Sequence, residues 1–168
     1  MPLTKTQAEG INLADTFAFT GTVTGTVAGS GAFSARSDLS AWATVANEGI
    51  LAFDNDSDGD SFDTDNNYNT STYKYTAPVT GVYLFWFAVY THNTDTSNAF
   101  SFLKNSAKVD FQRSSGRHFT VAYSDDEHSQ TATIVIPLTS GDTMAVCATL
   151  TDSEDYRAHS QWGGCRLA

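Results

Sequence analysis

The residues with the clearest potential for chemistry are the aspartates of one acidic segment: Asp54, Asp56, Asp58, Asp60 and Asp65. The first three stand at positions 1, 3 and 5 of a D-x-D-x-D-G loop, and Gly59 supplies the sharp turn at position 6. Calcium binds about six to eight hard oxygen ligands at this kind of spacing, so the five aspartates are a candidate calcium site. Against this, Asp65 is shorter than the bidentate glutamate usual at position 12. An acidic, solvated loop between strands is the alternative interpretation, and the sequence leaves both open.

The other polar side chains do not form a recognisable catalytic set. The acidic runs 125–128 and 152–155 are typical of solvated loops. No nucleophile-elbow, P-loop or zinc-protease motif is present. Four histidines are dispersed along the chain, each expected at a surface or cross-strand position: His92, His118, His128 and His159. We therefore predict that the protein is not an enzyme; a glycan-degrading depolymerase, which needs paired carboxylates in a cleft, is the enzymatic alternative.

Composition narrows the class of protein and of partner. The 168 residues suffice for one domain with a sizeable core. A net charge of −10, with only 9 scattered basic residues, opposes binding to a phosphate backbone, so we predict no nucleic-acid partner. No run approaches the roughly 18 apolar residues that span a bilayer, so we predict no membrane insertion. The N-terminus also lacks the pattern of a signal peptide.

Two cysteines, Cys147 and Cys165, are too few for a disulfide framework and lack the spacing of metal ligands. They either pair across two late strands or remain reduced and packed. The sequence does not decide between these states.

Short apolar segments that alternate with polar turns must position all of these residues. Thr, Val and aromatic residues are abundant, which favours strands over helices. Strands are predicted at 32–36, 41–46, 49–54, 72–76, 82–91, 98–104, 107–112, 117–123, 131–138, 143–150 and 159–167. Their regular spacing, with no convincing helix, predicts a two-sheet sandwich of the jelly-roll type.

The most informative segment is the corner at 73–85. Pro78 fixes φ and Gly81 permits a positive φ, so the chain is expected to turn before Val82. The strand that follows carries aromatic residues on both faces, including Phe85 and Trp86. One face can fill the sandwich core, and the other is expected to pack against a neighbouring subunit; stacking on a sugar or a cofactor is the alternative.

Residues 1–31 differ in character from the rest. From Phe17 to Val27 an apolar residue or glycine occupies most odd positions and threonine most even ones, which is a strand pattern. A glycine-rich strand has little side-chain area to bury alone, so we interpret residues 1–31 as an attachment or intertwining arm. A flexible leader is the alternative. Gly29 to Gly31 is the expected hinge between the arm and a domain at 32–168.

Several ordered motifs resemble those of the C1q-like domain of the C1q/TNF superfamily. They are Ala32–Arg36, Leu51–Asp54, Tyr75–Phe85 with its T-A-P-x-x-G corner, Leu103–Asn105, Leu138–Asp142 and Ser160–Leu167. The resemblance implies an all-β, ten-stranded jelly-roll sandwich that assembles as a homotrimer and recognises other molecules without catalysis. Trimers of this family often hold calcium near their apex. No collagen-like tract precedes the domain, which departs from the secreted members of the family.

The segment Gly10–Val23 is similar to segments in phage tail-fibre and virion proteins. Together the two resemblances imply a phage virion structural protein, a trimeric fibre or spike located on the tail or capsid surface. Residues 1–31 would bind other virion proteins, and the C1q-like head would attach to a host-surface glycan or protein or decorate the particle. The alternative is a cellular, soluble, lectin-like C1q recognition protein.

Overall fold

A computed structural model describes residues 31–38, 43–46, 48–55, 59, 61–92, 98–109, 128–150, 154–156 and 160–168. The arm before Gly31 and the predicted strand at 117–123 lie outside these ranges. All regular structure within them is β. The strands are β1 (Phe33–Arg36), β2 (Ala43–Val45), β3 (Phe62–Asp63), β4 (Tyr68–Asn69), β5 (Lys74–Thr76), β6 (Gly81–His92), β7 (Asn98–Lys104), β8 (Ala107–Lys108), β9 (His128–Leu138), β10 (Thr143–Leu150), β11 (Glu154–Tyr156) and β12 (Gln161–Arg166).

Two antiparallel sheets form the sandwich, which confirms the predicted all-β architecture. The seven-stranded sheet has the order β2-β11-β6-β12-β1-β3, and β9 pairs with the other side of β6. The five-stranded sheet has the order β4-β5-β10-β7-β8. Three of the twelve described strands contain only two residues, so short edge strands account for the excess over the ten that were expected.

Strand β6 lies at the centre of the seven-stranded sheet because its side chains are apolar on both faces. Tyr83, Phe85, Phe87 and Val89 point into the sandwich and are at most 2% exposed. The alternate residues from Leu84 to Tyr90 lie on the outer side and are half-buried. This period-two pattern is the one predicted from the sequence.

A cluster of aromatic rings fills the core between the sheets. Phe33 stacks between Tyr68 and Tyr75, with centroid distances of 5.1 and 4.8 Å. Trp162 packs edge-on against Phe33 at 4.7 Å and is fully buried. These contacts connect β1 and β12 of one sheet to β4 and β5 of the other, so the aromatic cluster holds the two sheets together.

The predicted strand at 49–54 is wrong. Instead, Ile50 forms an isolated bridge with Cys147, and Asn55 forms another with Arg36. The segment leaves the side of β10 and crosses to β1, so its backbone is paired at both ends without belonging to one sheet. The solvated loop predicted at 152–155 is also wrong in part, because Glu154 and Asp155 belong to β11.

The reason for glycine at position 81 also differs from the prediction. Positive φ is found at Gly31, Gly59 and Gly141, whereas Gly81 simply begins β6. A side chain at Gly81 would overlap the carbonyl oxygen of Ala168, which accepts a hydrogen bond from the Val82 N–H at 2.8 Å. Gly81 therefore permits a close approach of two chain segments rather than a special backbone angle.

Candidate interaction surface

The described aspartates of the acidic segment hold the chain at both ends of β1. Asp54 Oδ1 accepts a hydrogen bond from the Asp38 N–H at 2.9 Å. Asp65 Oδ2 accepts one from the Gly31 N–H at 2.8 Å and one from the Thr64 hydroxyl at 3.2 Å.

Asp56, Asp58 and Asp60 lie outside the described residues, so the structure does not show whether the five aspartates converge. Among the residues that the structure does describe, no group of three or more His, Cys, Asp or Glu side chains could hold a metal ion. The calcium site therefore stays a prediction.

The Leu103–Asn105 and Leu138–Asp142 motifs meet at one end of the sandwich. Asn105 and Ser106, both with positive φ, form the tight turn between β7 and β8. Asp142 accepts a hydrogen bond from the Asn105 amide at 2.7 Å and pairs with Lys104 at 2.9 Å. A third hydrogen bond comes from the Thr139 N–H at 2.8 Å.

These three contacts all favour the ionised carboxylate of Asp142. The hydrogen bond from Asn105, then that from Lys104, and then that from the Thr139 backbone lower the pKa of Asp142 to about 2. The network joins the β7–β8 turn to the start of β10. The two motifs therefore have a structural role, and they place no reactive group at this end of the molecule.

The surface most suited to an interaction is the outer side of the seven-stranded sheet. We call it the apolar face and define it by Val82, Leu84, Trp86, Tyr90 and Val135. Val82 is 37% exposed and Val135 56% exposed, while the other three are half-buried. In the register of the sheet Val135 lies opposite Leu84, so these side chains are neighbours. These exposed apolar neighbours make the apolar face the candidate contact surface among the described residues.

Gly163 shapes the centre of the apolar face. It pairs with Trp86 across β6 and β12, and a methyl group added at Gly163 would lie 3.1 Å from the Trp86 indole. The same methyl group would lie 2.6 Å from the Phe33 carbonyl oxygen. The indole therefore lies over a position that tolerates no side chain.

The row through Gly163 continues to both edges of the sheet. Ser34 is the next residue towards β3, followed by Phe62, which is 47% exposed. Thr133 of β9 is the neighbour of Trp86 on the other side. Ser34 and Gly163, both buried, thus lie between the aromatic rings of Phe62 and Trp86. The sequence does not reveal this arrangement, because it depends on the pairing of strands that are far apart in the chain.

The outer side of the five-stranded sheet has a different character. We call it the small-residue face and define it by Lys74, Thr76, Lys108, Ala145 and Cys147. Ala145 and Cys147 are at most 2% exposed and pack with Leu103 and Ile50. Lys108 pairs with Glu48 at 2.9 Å.

The two cysteines are both free thiols. Cys147 lies on β10 of the five-stranded sheet and Cys165 on β12 of the seven-stranded sheet. Of the two states that the sequence left open, the structure therefore has the unpaired one.

The entry of the chain into the sandwich is fixed rather than hinged. Gly31 is buried, its N–H is bound by Asp65, and its carbonyl accepts a hydrogen bond from the buried Tyr75 hydroxyl at 3.0 Å. The Ala32 carbonyl accepts hydrogen bonds from both the N–H and the hydroxyl of Thr64. The predicted hinge at Gly29 to Gly31 thus does not include a freely rotating Gly31.

Comparisons with known proteins identify this architecture. The globular domain of zebrafish complement 1qA protein has a TM-score of 0.57 at 17% identity, covering 82% of this chain and 97% of that one. Eiger TNF from S. frugiperda has a TM-score of 0.59 at 19% identity, covering 82% and 92%. Murine APRIL has a TM-score of 0.51 at 14% identity, covering 81% and 99%. At these identities the likeness concerns the fold, and it confirms the jelly roll.

No curated protein matches the chain in sequence. In the part of the chain that the structure describes, no helix has the length and apolar character needed to cross a membrane. The sequence model of the C1q domain family matches residues 32–164, which include all of the strands from β1 to β11 and most of β12. The chain therefore belongs to the C1q domain family.

Proposed function

We propose that the protein is a non-enzymatic homotrimer whose C1q domain recognises other molecules, mounted on a phage particle through residues 1–31. The apolar face is the observation that carries the assembly. It places the exposed Val82 and Val135 beside half-buried large side chains such as Trp86, and burying these against a second copy would remove apolar area from water.

A ring of three copies suits this face better than an isologous dimer. The half-buried residues of β6 and the exposed Val135 lie towards one edge, whereas the exposed ring of Phe62 lies towards the other, beyond the small residues Ser34 and Gly163. A cyclic assembly joins two different patches at each contact, and it closes when the rotation allows. C1q and TNF domains form trimers as a family, which supports three copies rather than another number.

Light scattering on the full chain tests the assembly. A trimer of 18.1 kDa chains has a mass of about 54 kDa, three times the monomer. A monomer mass at micromolar concentration would refute the homotrimer. Because the fraction of chains in the trimer depends on the protein concentration, the mass is measured over a dilution series.

The placement on a virion rests on the arm. The similarity of Gly10–Val23 to tail-fibre and virion segments supports it, as does the strand pattern of residues 17–27. Labelling intact particles with an antibody against the C1q domain locates the chain on the head or on the tail. A particle preparation that lacks the chain would favour the cellular, lectin-like alternative, in which residues 12–28 are dispensable for binding.

The proposed partner of the outward-facing head is a host-surface glycan or protein. Binding is tested with immobilised host polysaccharide and host surface protein, using the full chain. The same incubation also tests for catalysis. Finding shortened polysaccharide chains would refute the non-enzymatic function and would indicate a depolymerase.

Calcium is proposed as a structural ion of the acidic segment. An ion bound at about a hundredfold excess over its dissociation constant stabilises the folded state by about 2.7 kcal/mol. We therefore expect chelation to lower the melting temperature of the wild-type chain and to leave the D56N/D58N variant unchanged. An equal melting temperature with and without chelator in the wild type would refute the site.

A further inference from the structure

Strand β9 leaves one backbone edge open on the seven-stranded sheet. Within the described part of the chain, β9 pairs with β6 alone, over the whole length from His128 to Leu138. Thr131, Thr133 and Val135 are exposed along it. An exposed edge of this length is a template for a further strand.

The hydrogen bonds of Val82 show which groups of β9 face this edge. The Val82 N–H donates to Ala168 O at 2.8 Å, and its carbonyl accepts from the Leu167 N–H at 2.7 Å, so both groups point away from β9. Val82 and its partner Pro137 are therefore a pair without mutual hydrogen bonds. By the alternation of an antiparallel ladder, Thr131, Thr133 and Val135 likewise direct their backbone groups to the open edge.

One end of the open edge is closed. Pro137 has no N–H to offer, and its carbonyl accepts a hydrogen bond from Lys104 Nζ at 3.2 Å. Within the described residues, the backbone donors and acceptors left for a further strand thus run from Ser129 to Val135 and stop there. A strand added to β9 has a defined place to end.

We propose that this edge is completed by the segment Phe17–Val27 of another copy of the chain. The segment has the period-two pattern of a strand, and its glycines leave it without enough side-chain area to be stable alone. Adding it to β9 would satisfy its backbone groups through main-chain hydrogen bonds. Its Val and Phe side chains would extend the apolar face beyond Val135.

The length of the tether favours another copy over the same chain. The four Cα steps from Val27 to the fixed Gly31 cover at most about 14 Å. A strand added beyond β9 lies four strand spacings, about 19 Å, from β1, which begins at Phe33, two residues after Gly31. Pairing along the full length of the segment within one chain would need the tether to be almost fully extended across the sheet, whereas the edge of a neighbouring copy makes no such demand, and the inference rests on the homotrimer proposed above.

Amide hydrogen exchange on the full-length trimer tests the inference directly. With an open edge, the amides of Ala132 and Ile134 are protected by β6 while those of Thr131, Thr133 and Val135 exchange fast. With the edge covered, we expect all five amides to be slowed at least about tenfold relative to the unfolded chain. Fast exchange at the three edge amides in a 54 kDa assembly would overturn the inference, whereas a monomer mass would instead refute the assembly.

Two proline variants identify the occupant. Thr133→Pro removes an edge N–H at a position equivalent to Pro137, so β6 pairing should survive while the edge amides of Thr131 and Val135 lose their protection. Thr133→Val is the matched control and should keep that protection. The variant T20P/T24P, which prevents the arm from forming a strand, should expose the same amides; retained protection would mean that some other segment covers the edge.

Disulfide trapping identifies the chain that donates the strand. In a C165S background, a V23C chain and a separately tagged chain with cysteine at position 131, 133 or 135 are expressed together. We expect a disulfide between the two tagged chains at one of these positions and none with T76C on the five-stranded sheet. A disulfide that forms only when both cysteines are in one chain would overturn the exchange between copies.

Discussion

The outer faces of the two sheets differ although both are made by period-two strands. On the apolar face the side chains are large, as in Trp86 and Leu84, and Val135 is 56% exposed. On the small-residue face Ala145 and Cys147 are at most 2% exposed and pack with Leu103 and Ile50, and the longer polar side chains nearby are lysines. The first face has exposed apolar area left to bury, whereas the apolar side chains of the second are already largely buried. This difference makes the apolar face, and not the small-residue face, the candidate contact surface among the described residues.

The largest effect is expected from a charge on the apolar face. Trp86→Glu places a carboxylate where the proposed contact excludes water, and an unpaired buried charge is strongly unfavourable. We expect the mass from light scattering to fall from about 54 kDa to the 18.1 kDa of one chain. Thr76→Glu, on the small-residue face, is the control and should leave the mass unchanged. If both variants kept the trimer mass, or if both lost it, the two faces would not differ in their role in assembly.

The adjacent residues Gly163 and Gly164 of β12 allow the apolar face to be compared with the core within one strand. A methyl group at Gly164 would meet the Phe85 ring inside the core and the Leu84 carbonyl, whereas one at Gly163 would meet Trp86 on the apolar face. We expect each alanine variant to lose about 1 to 3 kcal/mol of unfolding free energy, measured by urea denaturation. Only Gly163→Ala should also weaken assembly, because only it displaces Trp86. Assembly weakened equally by both would show that loss of folding, not the face, is responsible.

At the end of the five-stranded sheet, Asp142 makes stability depend on acidity. Its pKa is lowered from 3.8 to about 2, so its contribution is fully present above pH 4 and is lost as the pH falls towards 2. We expect the wild type to melt above Asp142→Asn at pH 5, and the difference to shrink between pH 4 and pH 2. A difference that stays constant over this window would contradict the proposed network with Asn105 and Lys104.

The smallest effect is expected from the surface ion pair of the small-residue face. Lys108 pairs with Glu48, whose side chain is 68% exposed, so solvent screens the interaction. Lys108→Ala should change the unfolding free energy by less than about 0.5 kcal/mol and leave the assembly unchanged. A larger loss would show that this face contributes more to stability than its exposure indicates.

The sequence predicts well those strands that are apolar runs set between polar turns. The bounds predicted for β7 and β10 agree with the structure, because apolar residues such as Phe100 and Met144 lie in runs that end at polar residues on both sides. It fails at 49–54, where an apolar segment crosses between sheets. A run of apolar residues indicates that a segment is buried, but a segment that crosses between the sheets is buried without being a strand.

The candidate site could be predicted only in part. Aromatic residues on both faces of β6 indicate a second packing surface from the amino-acid pattern alone. The roles of Gly163 and Gly81 could not be predicted, because each depends on a segment more than 75 positions away that packs against it. The pairing of strands that are far apart in the sequence cannot be inferred from the composition of one local segment.

Fixation of Gly31 also determines how the domain responds to force. A pull on the arm would reach the sandwich first at the hydrogen bonds of Gly31 with Asp65 and Tyr75, and then at those of Ala32 with Thr64. Tyr75 stacks on Phe33 in the aromatic cluster. The force would therefore act on contacts of the core, and not only on the hydrogen bonds between β1 and β12 one after another. The N-terminal entry of the described sandwich is therefore held by side chains of its core as well as by the ladder between β1 and β12.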